Sequence, residues 1–288
     1  MATSSTVGNY LSLIKFSHTI FALPFAVIGF FLATQYFQYS FEWTIFVLVL
    51  LCMVFARSSA MAFNRYIDRD IDSKNARTAG REIPAGTISE QSALAFVLLN
   101  CFLFMLSAYF INPLCFFLSP IALAIILGYS YTKRFTALCH FVLGLGLALA
   151  PIGAFLAVSA HFELLPVLFG ITVLLWVSGF DIIYALQDES FDKEQQLHSI
   201  PTLLGKEKAL QLSSLLHVLC GAVLLFTGFY ASFGLFYWIG TAVFLSLLFY
   251  QHTLVSANDL SRVNLAFFTT NGIASVVFAI LVLLELFI

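Results

Sequence analysis

The stretch NRYIDRDID, Asn64 to Asp72, gathers three carboxylates and two arginines just past an apolar run, where a membrane helix should be ending. Asn64, Asp68 and Asp72 are spaced i, i+4, i+8, so on a helix of about 3.6 residues per turn they form one polar stripe two turns long. Asp70 points elsewhere. A solvated helix end with internal pairs to Arg65 and Arg69 accounts for this segment taken alone, so its meaning depends on the rest of the chain.

That chain is 61% hydrophobic, 16% aromatic and 10% charged, with a mean hydropathy of +0.97. An average soluble domain carries roughly 25% charged residues. Apolar runs of about 20 residues, the length a helix needs to cross a roughly 30 Å hydrocarbon layer, recur throughout. The expectation is an all-α integral membrane bundle, one domain over 1–288, with no room for a soluble domain and no nucleic acid among its partners. Nine spans are expected, near 14–37, 43–66, 91–111, 114–131, 138–160, 163–188, 208–231, 234–254 and 264–287, around a central cavity. The opening MATSSTVGNY lacks a basic region and a cleavage site, so the first run is read as a retained helix. Five cysteines without CxxC pairing read as small packing residues rather than a zinc site or disulfide framework.

With this numbering, the connections after the first, third, fifth and seventh spans are short and free of Lys and Arg. All 13 basic residues fall on the other side: Lys15, Arg57 to Arg81, Lys133 and Arg134, Lys193 to Lys208, and Arg262. The positive-inside rule then gives a cytoplasmic N-terminus and an outside C-terminus. Two long cytoplasmic loops, about 70–90 and 189–206, each carry Ile-Pro followed by Gly (Ile83, Pro84, Gly86; Ile200, Pro201, Gly205), which reads as a turn into the next helix. A weak internal repeat follows, spans one to four (about 14–131) and five to eight (about 138–254), with the ninth added. The small residues Gly144, Gly146, Ala148 and Ala150 suggest close packing of the fifth span, within the chain or between subunits.

The second loop begins with another stripe. Asp181, Tyr184, Asp188 and Asp192 fall on one face of the sixth span, with Asp181 at least a turn inside the membrane, where an ionisable residue is costly and points to function. Facing stripes of carboxylates repel unless cations sit between them. Oxygen-only ligands favour a hard ion, and Mg²⁺ binds through a few carboxylates together with substrate phosphates. The expected partner is therefore a diphosphate. Basic groups fit it: Arg57, seven residues before Asn64 and on its face; Lys133, with Tyr129 one turn behind; and Arg77, Arg81 and His198 in the loops. Positive-inside bias explains each of these singly except Arg57, a cation within the membrane that needs a partner.

At these residues the sequence resembles the UbiA superfamily of intramembrane prenyltransferases, over nearly the whole chain. NxxxDxxxD stands as Asn64, Asp68 and Asp72, DxxxD as Asp188 and Asp192, and YxxxK as Tyr129 to Lys133. The resemblance implies two Mg²⁺ ions between the aspartate motifs and transfer of a polyprenyl chain from its diphosphate to an acceptor. Asp68, Asp72, Asp188 and Asp192 would hold Mg²⁺ with help from Asn64, and Lys133 and Tyr129 would contact the diphosphate. GFDIIYALQDESFD and LHSIP look most like the 4-hydroxybenzoate branch, which serves ubiquinone-type quinones and shades into a menaquinone-pathway branch acting on a dihydroxynaphthoate acid. That places the protein in a bacterial inner membrane with its site on the cytoplasmic side.

The expected chemistry is electrostatic. Mg²⁺ and basic groups stabilise the leaving diphosphate, the allylic carbon becomes cationic, and a ring carbon ortho to the phenol attacks. Asp181 is the candidate for positioning the phenol or accepting a proton, and Arg57 for the acceptor's carboxylate. An apolar tunnel open to lipid is needed for the prenyl tail. The rival from another class is a secondary transporter, whose site would sit near the midplane on broken helices. A CDP-alcohol phosphotransferase motif is absent.

Overall fold

The computed structural model describes residues 6–14 and 21–288; Lys15 and residues 15–20 of the expected first span lie outside them, as do residues 1–5. Thirteen α-helices follow one another among the described residues. They are α1 Thr6–Leu13, α2 Leu23–Phe31, α3 Trp43–Ile67, α4 Arg69–Asp72, α5 Glu90–Ile111, α6 Pro113–Thr132 and α7 Cys139–Ser159. Then come α8 Leu164–Ala185, α9 Glu189–Glu194, α10 Ile200–Leu204, α11 Lys206–Tyr230, α12 Leu235–Thr253 and α13 Asn271–Phe287.

Eight of these stretches are long and apolar enough to cross a membrane: α3, α5, α6, α7, α8 running on through a 3₁₀ turn into α9, α11, α12, and α13 with the π turn before it. The protein is an integral membrane protein. Of the first expected span, near 14–37, the residues from 21 onward and residue 14 are described. Pro24 stands in the first turn of α2, where a missing N–H costs nothing, and the helix starts there at Leu23. Its nine residues and the five-residue π turn Leu32–Tyr36 reach about 21 Å, short of a roughly 30 Å hydrocarbon layer. α1 is a separate short helix.

The bundle closes as a ring. α3 packs on α5 and α6, α6 on α7, α7 on α8, α8 on α11, and α12 on α13, while α2 lies between α7 and α13. Trp176 of α8 is fully buried against Phe21, Phe25, Phe180 and Phe244, and its indole N–H donates to Asn271 Oδ1 at 2.7 Å. A Cβ at Gly144 would come within 2.6 Å of Leu174 O, so the small residues of α7 let it approach α8 inside the chain.

Both long loops are pinned to the bundle by their isoleucines. Ile83 is buried with Leu13, Ala62, Ala93 and Val97, and Ile200 with Ile182, Ile183 and Ala209. Gly86 (φ 72°) and Gly205 (φ 78°) take the left-handed conformation that the turns after these anchors require. At the opposite end the connections are tight, three of them turning on a left-handed residue: Gln38, Ala160 and Ser232. In the fourth, Asn112 Oδ1 accepts from Cys115 N at 2.8 Å to cap α6.

Glu285 of α13 fastens that end as well. Its carboxylate accepts from the backbone N–H groups of Gly234, Phe236 and Tyr237 at 2.5, 3.1 and 3.4 Å, meeting the positive end of α12. Glu285→Ala is expected to strip those donors and lower stability by about 1–2 kcal/mol, read as a lower thermal unfolding midpoint in detergent, while Glu285→Gln retains part of the effect.

Candidate active site

α3 ends at Ile67 and α4 begins at Arg69, so the chain turns only slightly at Asp68 (φ −88°, ψ 0°) and keeps Asn64, Asp68 and Asp72 in sequence along one helical track. Asp68 is 2% exposed. Its Oδ2 accepts from Lys133 Nζ at 2.6 Å and from Asn64 Nδ2 at 3.2 Å, with Arg134 beyond Oδ1 at 3.5 Å. Burial pushes the Asp68 carboxyl above its ordinary range, and Lys133 pulls it back. Asp72 is equally buried and takes both its oxygens to Arg81 NH1 at 2.7 Å.

The second motif sits where α8 passes through its 3₁₀ turn into α9. Asp188 accepts two bonds from Arg77, Nε to Oδ1 at 3.0 Å and NH2 to Oδ2 at 2.5 Å. Arg77 belongs to the first loop, and it also reaches the Tyr184 hydroxyl at 3.3 Å and lies 5.7 Å from that ring's centre. Burial alone lowers the Arg77 guanidinium, but the bonds to Asp188 outweigh it and hold it above its usual value. Asp192 faces Asp188, Lys133 and Ser199. The first loop is thereby tied to the second motif, and the second loop to α6, because the backbone N–H of His198 donates to Lys133 O at 2.7 Å. The His198 side chain itself is exposed.

Beneath this charged layer lies an apolar cavity of about 310 Å³, walled by α3, α5, α6 and α7. Its lining runs along α7 from Leu143 to Ala157, about 21 Å at 1.5 Å per residue. Rim residues Ile121 and Phe162 are more than half exposed, so it opens on the bundle's outer side. At its charged end stand Arg57 and Tyr129. Arg57 forms no ion pair among the described residues, and its Nε is buried without a hydrogen-bond partner. Tyr129 lies within electrostatic reach of Asp68, Asp181, Arg65 and Arg57.

A family model for UbiA prenyltransferases matches residues 22–273. The chain belongs to the UbiA prenyltransferase family. It is 32% identical over 246 residues to a 4-hydroxybenzoate octaprenyltransferase of Aliivibrio fischeri strain MJ11, covering 82% of each chain. A protein of the same description from Nitrosomonas europaea is 30% identical, covering 84% of this chain and 83% of its own. Among solved structures, the apo form of a UbiA homologue from Aeropyrum pernix K1 superposes with a TM-score of 0.84 at 32% identity, over 93% of this chain and 98% of that one. A UbiA homologue from Archaeoglobus fulgidus bound to GPP and Mg²⁺ shares the fold, with a TM-score of 0.74 at 22% identity, over 97% of this chain and 100% of that one.

In this UbiA prenyltransferase the sequence-predicted residues gather at one end of the bundle, with three of the motif carboxylates each engaged by a loop or helix-end cation. One residue at this end escapes a reading of motifs, and another differs from its expected role. His140, in the first turn of α7, sits 2.7 Å from Asp181 Oδ2. Arg65 is 6% exposed with its Nε unpartnered, not a solvated partner for the motif aspartates. No period links His140 to Asp181, 41 residues away on another helix.

The Asp68–Lys133 pair gives a direct test. Lys133→Ala leaves a buried carboxylate without its cation and should destabilise the fold by about 3–5 kcal/mol, whereas adding Asp68→Asn should recover much of that loss. Unfolding midpoints of the two singles and the double, compared as a cycle, check it.

Proposed function

We propose that this enzyme transfers a polyprenyl chain from its diphosphate to the ring carbon ortho to the hydroxyl of 4-hydroxybenzoate, in a Mg²⁺-dependent reaction of ubiquinone-type quinone synthesis. The observation that carries this reading is the apolar cavity ending beneath two aspartate motifs at an arginine without an anion. The relatives named 4-hydroxybenzoate octaprenyltransferase support the acceptor.

Among the described residues no three of the motif carboxylates come together as a metal cluster; Asp68, Asp72 and Asp188 hold cationic side chains, and a hard divalent ion would take oxygen ligands from these three, Asp192 and Asn64 in their place. When bound, Mg²⁺ supplies positive charge against the charge growing on the leaving diphosphate. Lys133, Arg77, Arg81 and Tyr129 bind the diphosphate, with His198 at the loop edge. The bond from allylic carbon to diphosphate oxygen breaks, its electron pair leaving with the diphosphate. Tyr184, whose hydroxyl Arg77 reaches at 3.3 Å, joins the substrate-binding groups beside the second motif. Arg57 holds the acceptor carboxylate, the ring carbon forms the new C–C bond, and Asp181 accepts the ring proton. The prenyl tail lies in the cavity and enters from lipid.

The remaining placement follows the same reading. The short helix α2 makes a ninth crossing, the N-terminus is cytoplasmic, the C-terminus is outside, and the site lies on the cytoplasmic side of a bacterial inner membrane. One domain holds two related halves, an arrangement supported by the like packing of α3 on α5 and α8 on α11.

Membranes carrying the protein, given polyprenyl diphosphate and Mg²⁺, should prenylate 4-hydroxybenzoate, and EDTA or Asp68→Ala should abolish the product. Product from a dihydroxynaphthoate acid alone would move the acceptor to menaquinone synthesis, and no metal-dependent product from either acid would count against the reading. Arg57→Ala should raise KM for the acceptor about tenfold or more, given that a charge-assisted hydrogen bond contributes about 1.5–3 kcal/mol. KM for the diphosphate should stay unchanged in steady-state assays.

A further inference from the structure

His140 is 3% exposed and clamped from three sides. Its Nε2 accepts from the backbone N–H of Ile200 at 3.3 Å, its Nδ1 lies 2.7 Å from Asp181 Oδ2, and its carbonyl accepts from Ser178 Oγ at 3.2 Å. A ring nitrogen that accepts a hydrogen bond carries no proton, so the imidazole proton is on Nδ1 and points at the carboxylate. The tautomer is set by the loop. Ile200 opens α10, whose start is fixed by a capping box between Ser199 and Thr202.

Asp181 differs from its neighbours in what it faces. Asp68, Asp72 and Asp188 are engaged by lysine or arginine side chains, whereas Asp181 is engaged by a histidine ring. The ring takes one oxygen of Asp181 and leaves the other to receive a proton. Its side chain is 23% exposed, and among the described residues Oδ1 has no hydrogen bond.

We propose that His140 is the positioning residue for Asp181: Nδ1–H holds Oδ2, and the second loop holds the ring, so that Oδ1 is presented to the prenylated acceptor. The inference rests on the reading of Asp181 as proton acceptor. Once the C–C bond has formed, the C–H bond at the same ring carbon breaks. Its electron pair restores the aromatic ring and the proton passes to Asp181 Oδ1.

The test compares His140→Ala with His140→Asn, whose amide nitrogen can stand where Nδ1 stands. Steady-state constants and the isotope effect with 4-hydroxybenzoate deuterated beside the hydroxyl are measured for each, with Asp181→Asn alongside and thermal unfolding as the check of fold. His140→Ala should lower kcat about tenfold or more, leave KM for the diphosphate unchanged and raise the isotope effect above that of the parent as proton loss becomes slow. His140→Asn should restore most of kcat and the parental isotope effect. Parental kcat and isotope effect in His140→Ala, or His140→Asn no better than His140→Ala, would overturn the proposal. Where His140→Ala fails to fold, a kcat for His140→Asn below about a tenth of the parent's overturns it. An Asp181→Asn enzyme with parental turnover would instead overturn the reading of Asp181 itself.

Discussion

Carboxylates at the edge of a hydrocarbon layer must be compensated, and this requirement shapes the charged end of the bundle. Asp68, Asp72 and Asp188 each have a cationic group within 2.7 Å, supplied by the end of α6 or by the first loop. The loop that delivers Arg77 and Arg81 cannot be a short turn, because it must leave α3, cross to α8 and return to α5. Its anchor, Ile83, lets it do so without fraying: a buried side chain fixes the loop's middle while its arginines reach in opposite directions. The second loop follows the same logic with Ile200, and it carries the backbone bond that joins His198 to Lys133.

The other half of the site obeys the opposite requirement. Below the ion pairs the cavity wall is almost wholly aliphatic and aromatic, so a group that enters it must be apolar or must bring its own charge to Arg57. Helix packing makes that space. Small residues on α7 draw α8 close on one side, at Gly144, and leave room on the other, where Gly146 and Gly153 line the cavity. The far end is closed by tight turns and by the Glu285 clamp on α12, which leaves the bundle two unlike ends.

Periodicity and charge segregation made the bundle legible in the sequence, because both are local properties of a helix in a membrane. The i, i+4, i+8 spacing of Asn64, Asp68 and Asp72 needed no tertiary information, and neither did the charge-free short connections. The paired loops were legible through Ile-Pro and Gly, and both glycines take the left-handed turn. What escaped is long-range. Arg77 and Asp188 are 111 residues apart, and His140 and Asp181 are 41 apart on different helices, so no window contains either pair.

The order of the layers follows from the chemistry of the lipid that the proposed reaction uses. A polyprenyl diphosphate lies in the bilayer with its head at the surface, so its reacting carbon sits where the polar and apolar environments meet. Tyr129 and Arg57 occupy that boundary, below the aspartates and above the aliphatic wall. A cation formed there has ring faces nearby and little water, and the acceptor's carboxylate can meet Arg57 without crossing the charged layer a second time. Asp181, a helical turn or more deeper than Asp188, lies within electrostatic reach of Tyr129 and holds the His140 ring on one oxygen. Its second oxygen is left to take the ring proton at the depth where the new bond forms.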